Sequence, residues 1–282
     1  MTLTINTNLS SLIVQKNLSS ATTSLNNAIE RMSTGYKINH AKDNAAGYSI
    51  AANWKTKLSS LDIASENASM GADLLKTAEE NYSLITSHLQ RVRDLTEQAA
   101  NGTYGSDSLK AIASEMTARL NEIDRISKNA EFNGIKLMDS TGKAITLQVG
   151  LDAVAANSQI TLDAALFAAA DSKALLGAEI DAFVKEAADS TKAAGKLAKI
   201  DEAITKISDK VTSIGSAQNR VESAISSISV QSENLTSSLS TLRDADVAEE
   251  SSNYIKAQIL QQASATLLAT ANQIPSIALN LI

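Results

Sequence analysis

Between Leu197 and Leu242, apolar residues recur at alternating spacings of three and four: Leu197, Ile200, Ile204, Ile207, Val211, Ile214, Val221, Ile225, Ile228, Leu235, Leu239 and Leu242. Gln218 and Ser232 are the polar positions in this seam, and no proline interrupts it. A seven-residue repeat held this long predicts a helix that lays one narrow stripe along a partner helix. At about 1.5 Å per residue such a helix is about 70 Å long. Helices in globular proteins average roughly 11 residues, so the pattern predicts a rod-like rather than a round molecule.

The partner is a second long helix over 45–100, with a seam through Leu61, Ala64, Ala68, Gly71, Leu75, Ala78, Tyr82, Ile85, Leu89 and Val92. Asn101-Gly102 and Tyr104-Gly105 end it in a turn, and Ser106 and Asp107 are candidate N-caps for a third helix striped by Leu109, Ile112, Met116, Leu120 and Ile123. From Phe132 to Ile160 the character changes. Asn133-Gly134 and Thr141-Gly142 are turn signals and Ala144 to Val149 alternates, which predicts one or two small β-hairpins. The alanine-rich stretch 163–194 reads as weak helices and loops.

The two ends resemble each other. Val14, Leu18, Ala21, Leu25, Ala28 and Met32 repeat at helical spacing, and Lys16 is the only charged side chain between Ile5 and Ile29. A polar connector, bracketed by Gly35 and Gly47, follows this first helix. After an acidic break at Asp244, Asp246, Glu249 and Glu250 comes a last helix, which carries no charge from Ala257 to Ile282. Leu260, Leu267, Ala271, Ile274, Ala278 and Leu281 fall at heptad spacing on it. Isolated helices of this kind are marginal in water, so the ends are expected to be mobile until they meet neighbouring subunits. Ile5, Leu9, Leu12, Leu18, Leu25, Ile259, Leu260, Leu267, Ile274 and Leu281 are the expected assembly residues.

Composition narrows the function. Among 282 residues, 44% are hydrophobic but only 3% aromatic, with one proline, as in long helices packed through small side chains. A net charge of -6 argues against a nucleic-acid or anionic-membrane surface. There is no cysteine, hence no disulfide, thiolate or cysteine–metal chemistry. No basic-then-apolar leader and no run of about 18 apolar residues is visible. His40 and His88 are the only histidines, and neither has the ligand company of a metal or catalytic site. No zinc-protease, nucleophile-elbow or phosphate-loop motif is found, so no enzyme and no cofactor are expected. Matches to Asn-x-Ser/Thr, such as Asn101-Gly102-Thr103, read as chance in so polar a chain, and the four carboxylates after Arg243 read as a solvated helix start.

Several stretches, in order, closely resemble bacterial flagellin: Ile5–Leu12 (INTNLSSL), Ala28–Ala51 (AIERMSTGYKINHAKDNAAGYSIA), Arg119–Met138 (RLNEIDRISKNAEFNGIKLM), Ser216–Val221 (SAQNRV), Leu242–Glu250 (LRDADVAEE) and Gln258–Ile282 (QILQQASATLLATANQIPSIALNLI). The resemblance covers residues 1–150 and 195–282. It implies a mainly α, elongated antiparallel coiled-coil bundle with a small β-hairpin region. The terminal helices, 1–43 and 243–282, would pair as an inner tube domain and 44–242 would form a rod with a short variable segment at 150–194.

It also implies a filament subunit that stacks on an open helical lattice with itself as partner. The flagellar type III export apparatus, an export chaperone, and the cap and junction proteins would be further partners, and the location extracellular, in the flagellum. Flagellins recognised by Toll-like receptor 5 present an arginine and a leucine on the first rod helix and a glutamate on the next. The matching positions are Arg91, Leu95 and Glu115, with Gln90 and Arg119 beside them. The connector departs from the family pattern at Tyr36, Lys37, His40 and Asn44, where leucine, arginine, serine and aspartate are more usual. A hook-filament junction protein, which has similar ends, and a helical rod that never polymerises are the rival readings.

Overall fold

The computed structural model describes residues 7–138, 143–152 and 154–279, without the side chains of 155, 156 and 274–279. Its long helices are α1 (Leu9–Thr34), α2 (Ala45–Ala100), α3 (Ser106–Asn129), α7 (Ala193–Arg243) and α8 (Val247–Leu279). Between α3 and α7 lie β1 (Glu131–Phe132), β2 (Ile135–Lys136), β3 (Ile145–Gln148), α4 (Ala155–Ser158), β4 (Gln159–Leu162), a 3-10 turn (Ala164–Phe167), α5 (Ser172–Leu176) and α6 (Ile180–Ala187). The protein is thus mainly α, with two small antiparallel strand pairs, β1 with β2 and β3 with β4. The chain divides into two compact units, residues 1–58 with 233–282 and residues 59–232, and the division falls inside α2 and α7.

In the 59–232 unit, every position of the expected α2 seam from Leu61 to Val92 is buried. The facing α7 buries Ile200, Ile207, Ile214, Val221 and Ile228 every seven residues, with Ala203 and Ala217 beside them. Gln218 Nε2 donates to Glu79 Oε2 at 2.8 Å and Arg93 Nε to Asp201 Oδ1 at 2.7 Å, which fixes the two helices antiparallel. On α3 the expected stripe is buried from Ile112 to Ile123. Its start differs, however: the N-cap is Gly105, with no side-chain cap from Ser106 or Asp107.

Asn133 and Gly134 both adopt positive φ, 48° and 79°, the combination that a two-residue hairpin turn needs to match the strand twist. Ile145 pairs with Leu162 and Gln148 with Gln159 in the second hairpin. The other turn signal, Thr141-Gly142, lies outside the described residues. Gly71 of α2 lets this hairpin dock, because a Cβ there would collide with the Leu147 side chain.

The alanine-rich stretch contributes more core than its pattern suggests. Leu166, Phe167, Leu175, Leu176, Phe183 and Val184 are buried with the α2, α3 and α7 seams. The fully buried Tyr82 donates its hydroxyl to the Leu166 carbonyl at 2.9 Å, and burial pushes its phenol pKa up. Lys210 Nζ donates to the Ala168 carbonyl at 3.1 Å and is pushed down by burial. Short-range periodicity misses this segment because its elements are only 4 to 8 residues long.

In the other unit, α1 and α8 run antiparallel and Gly35, at φ 74°, caps the end of α1. Gly47 belongs to the first turn of α2 rather than to the connector, and Asn44 Oδ1 accepts its N–H at 2.9 Å.

Two outcomes check this packing. Tyr82→Phe should lower unfolding free energy by about 1–2 kcal/mol in chemical denaturation, because the buried Leu166 carbonyl loses its partner. Gly71→Leu should raise amide exchange in β3 and β4 while leaving β1 and β2 as they were; unchanged exchange would refute the docking role of Gly71.

Candidate functional site

The terminal pair is built on small residues. Ala21 and Ala28 are the buried positions of α1, and Ala257, Ser264 and Ala271, with Glu250 one heptad before them, those of α8 over its described side chains. With so little side chain between them, the two backbones come within 8 Å of each other. Polar contacts punctuate the seam: Asn8 Nδ2 to the Ala271 carbonyl at 2.7 Å, Gln261 Nε2 to Thr22 Oγ1 at 3.2 Å, and Arg31 Nη1 to Glu250 Oε1 at 2.9 Å. Glu250 is therefore not part of a solvated helix start: its side chain is only 9% exposed and answered by Arg31. Asp246 is the capping carboxylate of α8, accepting the N–H groups of Ala248 and Glu249.

Small residues in the seam leave the large ones outside it. Leu9, Leu12, Ile259, Leu260 and Leu267 are all exposed, Leu260 at 49% and Leu267 at 57%. Leu18 and Leu25 are half-buried. Ile5 and Leu281 lie outside the described residues, as does the side chain of Ile274. Of the expected α8 stripe, Ala271 is buried against α1 but Leu260 and Leu267 are not; the intramolecular seam runs through Ala257, Ser264 and Ala271, on a heptad set offset from the leucines. Alanine and serine at seven-residue spacing are visible in the sequence, but the larger leucines draw the eye. Ile13, Ile29 and Ile255 join the exposed set. A groove of about 670 Å³ beside the seam is lined by Asn17, Ser24, Asn27, Asn253, Leu260 and Leu267 among others.

The connector is stitched to the α7–α8 break. Lys37 N–H donates to the Arg243 carbonyl at 2.7 Å and Ala245 N–H to the Gly35 carbonyl at 2.8 Å, around a bridge between Tyr36 and Asp244. The Arg243 guanidinium lies 4.1 Å from the centre of the Tyr36 ring. All four positions that depart from the family pattern thus have structural partners: Tyr36 under Arg243, Lys37 with its Nζ donating to the Thr241 carbonyl at 2.9 Å, His40 with its Nε2 2.7 Å from Glu30 Oε1, and Asn44 capping α2.

The receptor-matching residues gather on α2 and α3, with one exception. Arg91 Nε donates to Glu115 Oε1 at 2.9 Å, and Arg119 Nη2 stands 3.6 Å from the same oxygen. Gln90 is exposed beside them. The hydrogen bond that Arg91 donates to Glu115 holds the Glu115 carboxyl below its usual range and pushes the Arg91 guanidinium up. Leu95 is not presented. It is 1% exposed and packed in the core, because it continues the buried spacing of Leu89, Val92 and Ala99. Among the described residues no three His, Asp or Glu gather as a metal site, and no helix is long and apolar enough to cross a membrane.

Comparison with known proteins follows the same division of the chain. The bacterial flagellin N-terminal helical region matches residues 5–143, and the bacterial flagellin C-terminal helical region matches residues 197–282. A flagellin of Listeria monocytogenes is 35% identical over 99% of this chain and 99% of its own length. One of Serratia marcescens is 36% identical over 95% of this chain and 96% of its own. Among solved structures, a Vibrio parahaemolyticus protein described as flagellar hook-associated has a TM-score of 0.59 at 14% identity, covering 72% of this chain and 100% of that one, a likeness of fold alone. Matched by family models at both ends and by relatives along nearly its whole length, the chain belongs to the bacterial flagellin family.

Proposed function

We propose that this chain is the structural subunit that polymerises into the flagellar filament, with the outward apolar faces of α1 and α8 as its principal assembly surface. The observation that carries this reading is the small-residue seam, which holds the two ends together yet leaves Leu9, Leu12, Ile13, Ile259, Leu260 and Leu267 unburied. Burying one such residue against another subunit is worth about 1.5–3 kcal/mol. Repeated at every subunit of a heterologous, non-closing lattice, that gain drives polymer growth. Residues 1–43 and 243–282 form the inner layer of the filament in this reading, and 44–242 the layer around it.

The role is structural rather than catalytic. The filament places the protein outside the cell, and the flagellar type III apparatus, an export chaperone, and the cap and junction proteins are its partners on the way. A cysteine-free chain whose terminal helices carry few charges and are marginally stable in isolation suits passage through a narrow channel.

A second activity rests on the α2–α3 surface. Gln90, Arg91, Glu115 and Arg119 present a connected polar cluster for recognition of the monomer by Toll-like receptor 5, with Leu95 supporting Arg91 from the core. Unfolded, the Glu115 carboxyl titrates at its ordinary value; folded, it is held lower. Its ion pair with Arg91 is therefore complete above the ordinary value and is lost only as pH falls through the lowered one.

Seeded elongation tests the filament reading. Leu260→Ser with Leu267→Ser should leave monomer stability within about 0.5 kcal/mol, since both are exposed, yet raise the critical concentration about a hundredfold or more. Elongation at the parent rate would contradict the assembly surface. For the receptor, Arg91→Ala or Glu115→Ala should reduce signalling by pure monomer in receptor-expressing cells about tenfold or more, and silence of the parent monomer would refute the reading.

A further inference from the structure

The alanine and serine positions between α1 and α8 carry little register information of their own. Its buried positions, Ala21 and Ala28 against Ala257, Ser264 and Ala271, recur every seven residues. A slide by one heptad would set small side chains opposite small side chains again, at nearly the same packing. Register has to come from contacts that do not repeat: Arg31 with Glu250 supplies one at one end and Gln261 with Thr22 one midway, and the other end has its own.

Pro275 does not repeat: it is the only proline in the chain, and it lies inside α8. A proline within a helix has no N–H for the carbonyl four residues earlier. That carbonyl belongs to Ala271, a buried residue, and a buried acceptor left without a partner is destabilising. Asn8 Nδ2 supplies the missing donor at 2.7 Å. The other end of the same amide, Asn8 Oδ1, accepts the Ser11 N–H at 3.1 Å and so caps α1. Ser11 Oγ in turn donates to Asn272 Oδ1 at 2.8 Å.

We propose that Asn8 and Pro275 form a register lock: the proline frees one carbonyl on α8, and the N-cap asparagine of α1 is placed to answer that carbonyl and no other. One heptad away, the amide would meet the Ser264 carbonyl, whose helical donor, Leu268 N–H, is present. Asn8 is a positioning residue. It couples the start of one helix to the end of another, 263 positions apart in sequence. The lock stands on the geometry of the pair. Its consequence for assembly rests on the filament reading above, since register sets how Leu12 and Ile13 stand relative to Leu260 and Leu267.

The test is a double-mutant cycle in the full-length monomer, read by amide exchange over 9–20 and 262–271. Asn8→Asp keeps an acceptor for the Ser11 N–H, and its charge suits a helix start. It loses the amide donor and turns an oxygen toward the Ala271 carbonyl. Pro275→Ala restores a helical N–H to that carbonyl. Asn8→Asp should speed exchange in both segments about tenfold in the parent, and about twofold or less when Pro275→Ala is present. An equal effect in the two backgrounds, or none in the parent, would overturn the lock and leave Asn8 a local cap.

Seeded elongation is measured beside it. Coupling in exchange together with slowed elongation of the Asn8→Asp chain supports both the lock and its role in assembly. Coupling with unaltered elongation retains the lock and overturns that role. Should the parent chain itself fail to elongate, the filament reading falls, and the exchange result still decides the lock.

Discussion

Side-chain size in the helix seams is the constraint on which the rest of the protein depends. Between α2, α3 and α7 the seams carry Leu75, Tyr82, Ile85, Leu89, Met116, Leu120, Ile207 and Ile214, all fully buried. Such residues satisfy their own hydrophobic demand inside the unit, each by about 1.5–3 kcal/mol. Between α1 and α8 the seam is alanine and serine. Small side chains allow close approach of the backbones but bury little area, so the pair leans on polar contacts such as Arg31 with Glu250 and keeps its large residues facing out. One unit is finished by its own core; the other leaves large apolar side chains exposed, and in the proposed filament neighbours would cover them.

Much of this was legible in the amino-acid sequence wherever one residue type did one job over many turns. The α2 seam is buried at every expected position because a 56-residue helix averages out local exceptions. Asn133-Gly134 turned as expected because few other pairs tolerate two positive φ angles. Pattern failed where large and small residues compete for the same role. On α8 the leucine heptad outshines the alanine–serine heptad, yet only the second is buried inside the chain, since periodicity shows which residues share a face and not which partner covers that face. The acidic break hid a buried ion pair for a similar reason: the partner of Glu250 is Arg31, 219 residues away.

The candidate receptor surface shows the limit of carrying residues over by identity. Arg91 and Leu95 are four residues apart and lie along one side of α2, yet Arg91 sits at the edge of the buried stripe and Leu95 within it. Identity of residue type says nothing of that boundary. The Arg91–Glu115–Arg119 cluster is instead a surface feature held between two helices, and the core beneath it is what keeps those helices in place.

A helical reconstruction of filaments grown from this chain, at a resolution that places side chains, tests the account most directly. It predicts Ala21, Ala28, Ala257, Ser264 and Ala271 still paired within each subunit, with Leu12, Ile13, Leu260 and Leu267 buried against neighbouring subunits. A filament in which α1 and α8 of one chain are separated, or in which those large residues face solvent, would contradict it.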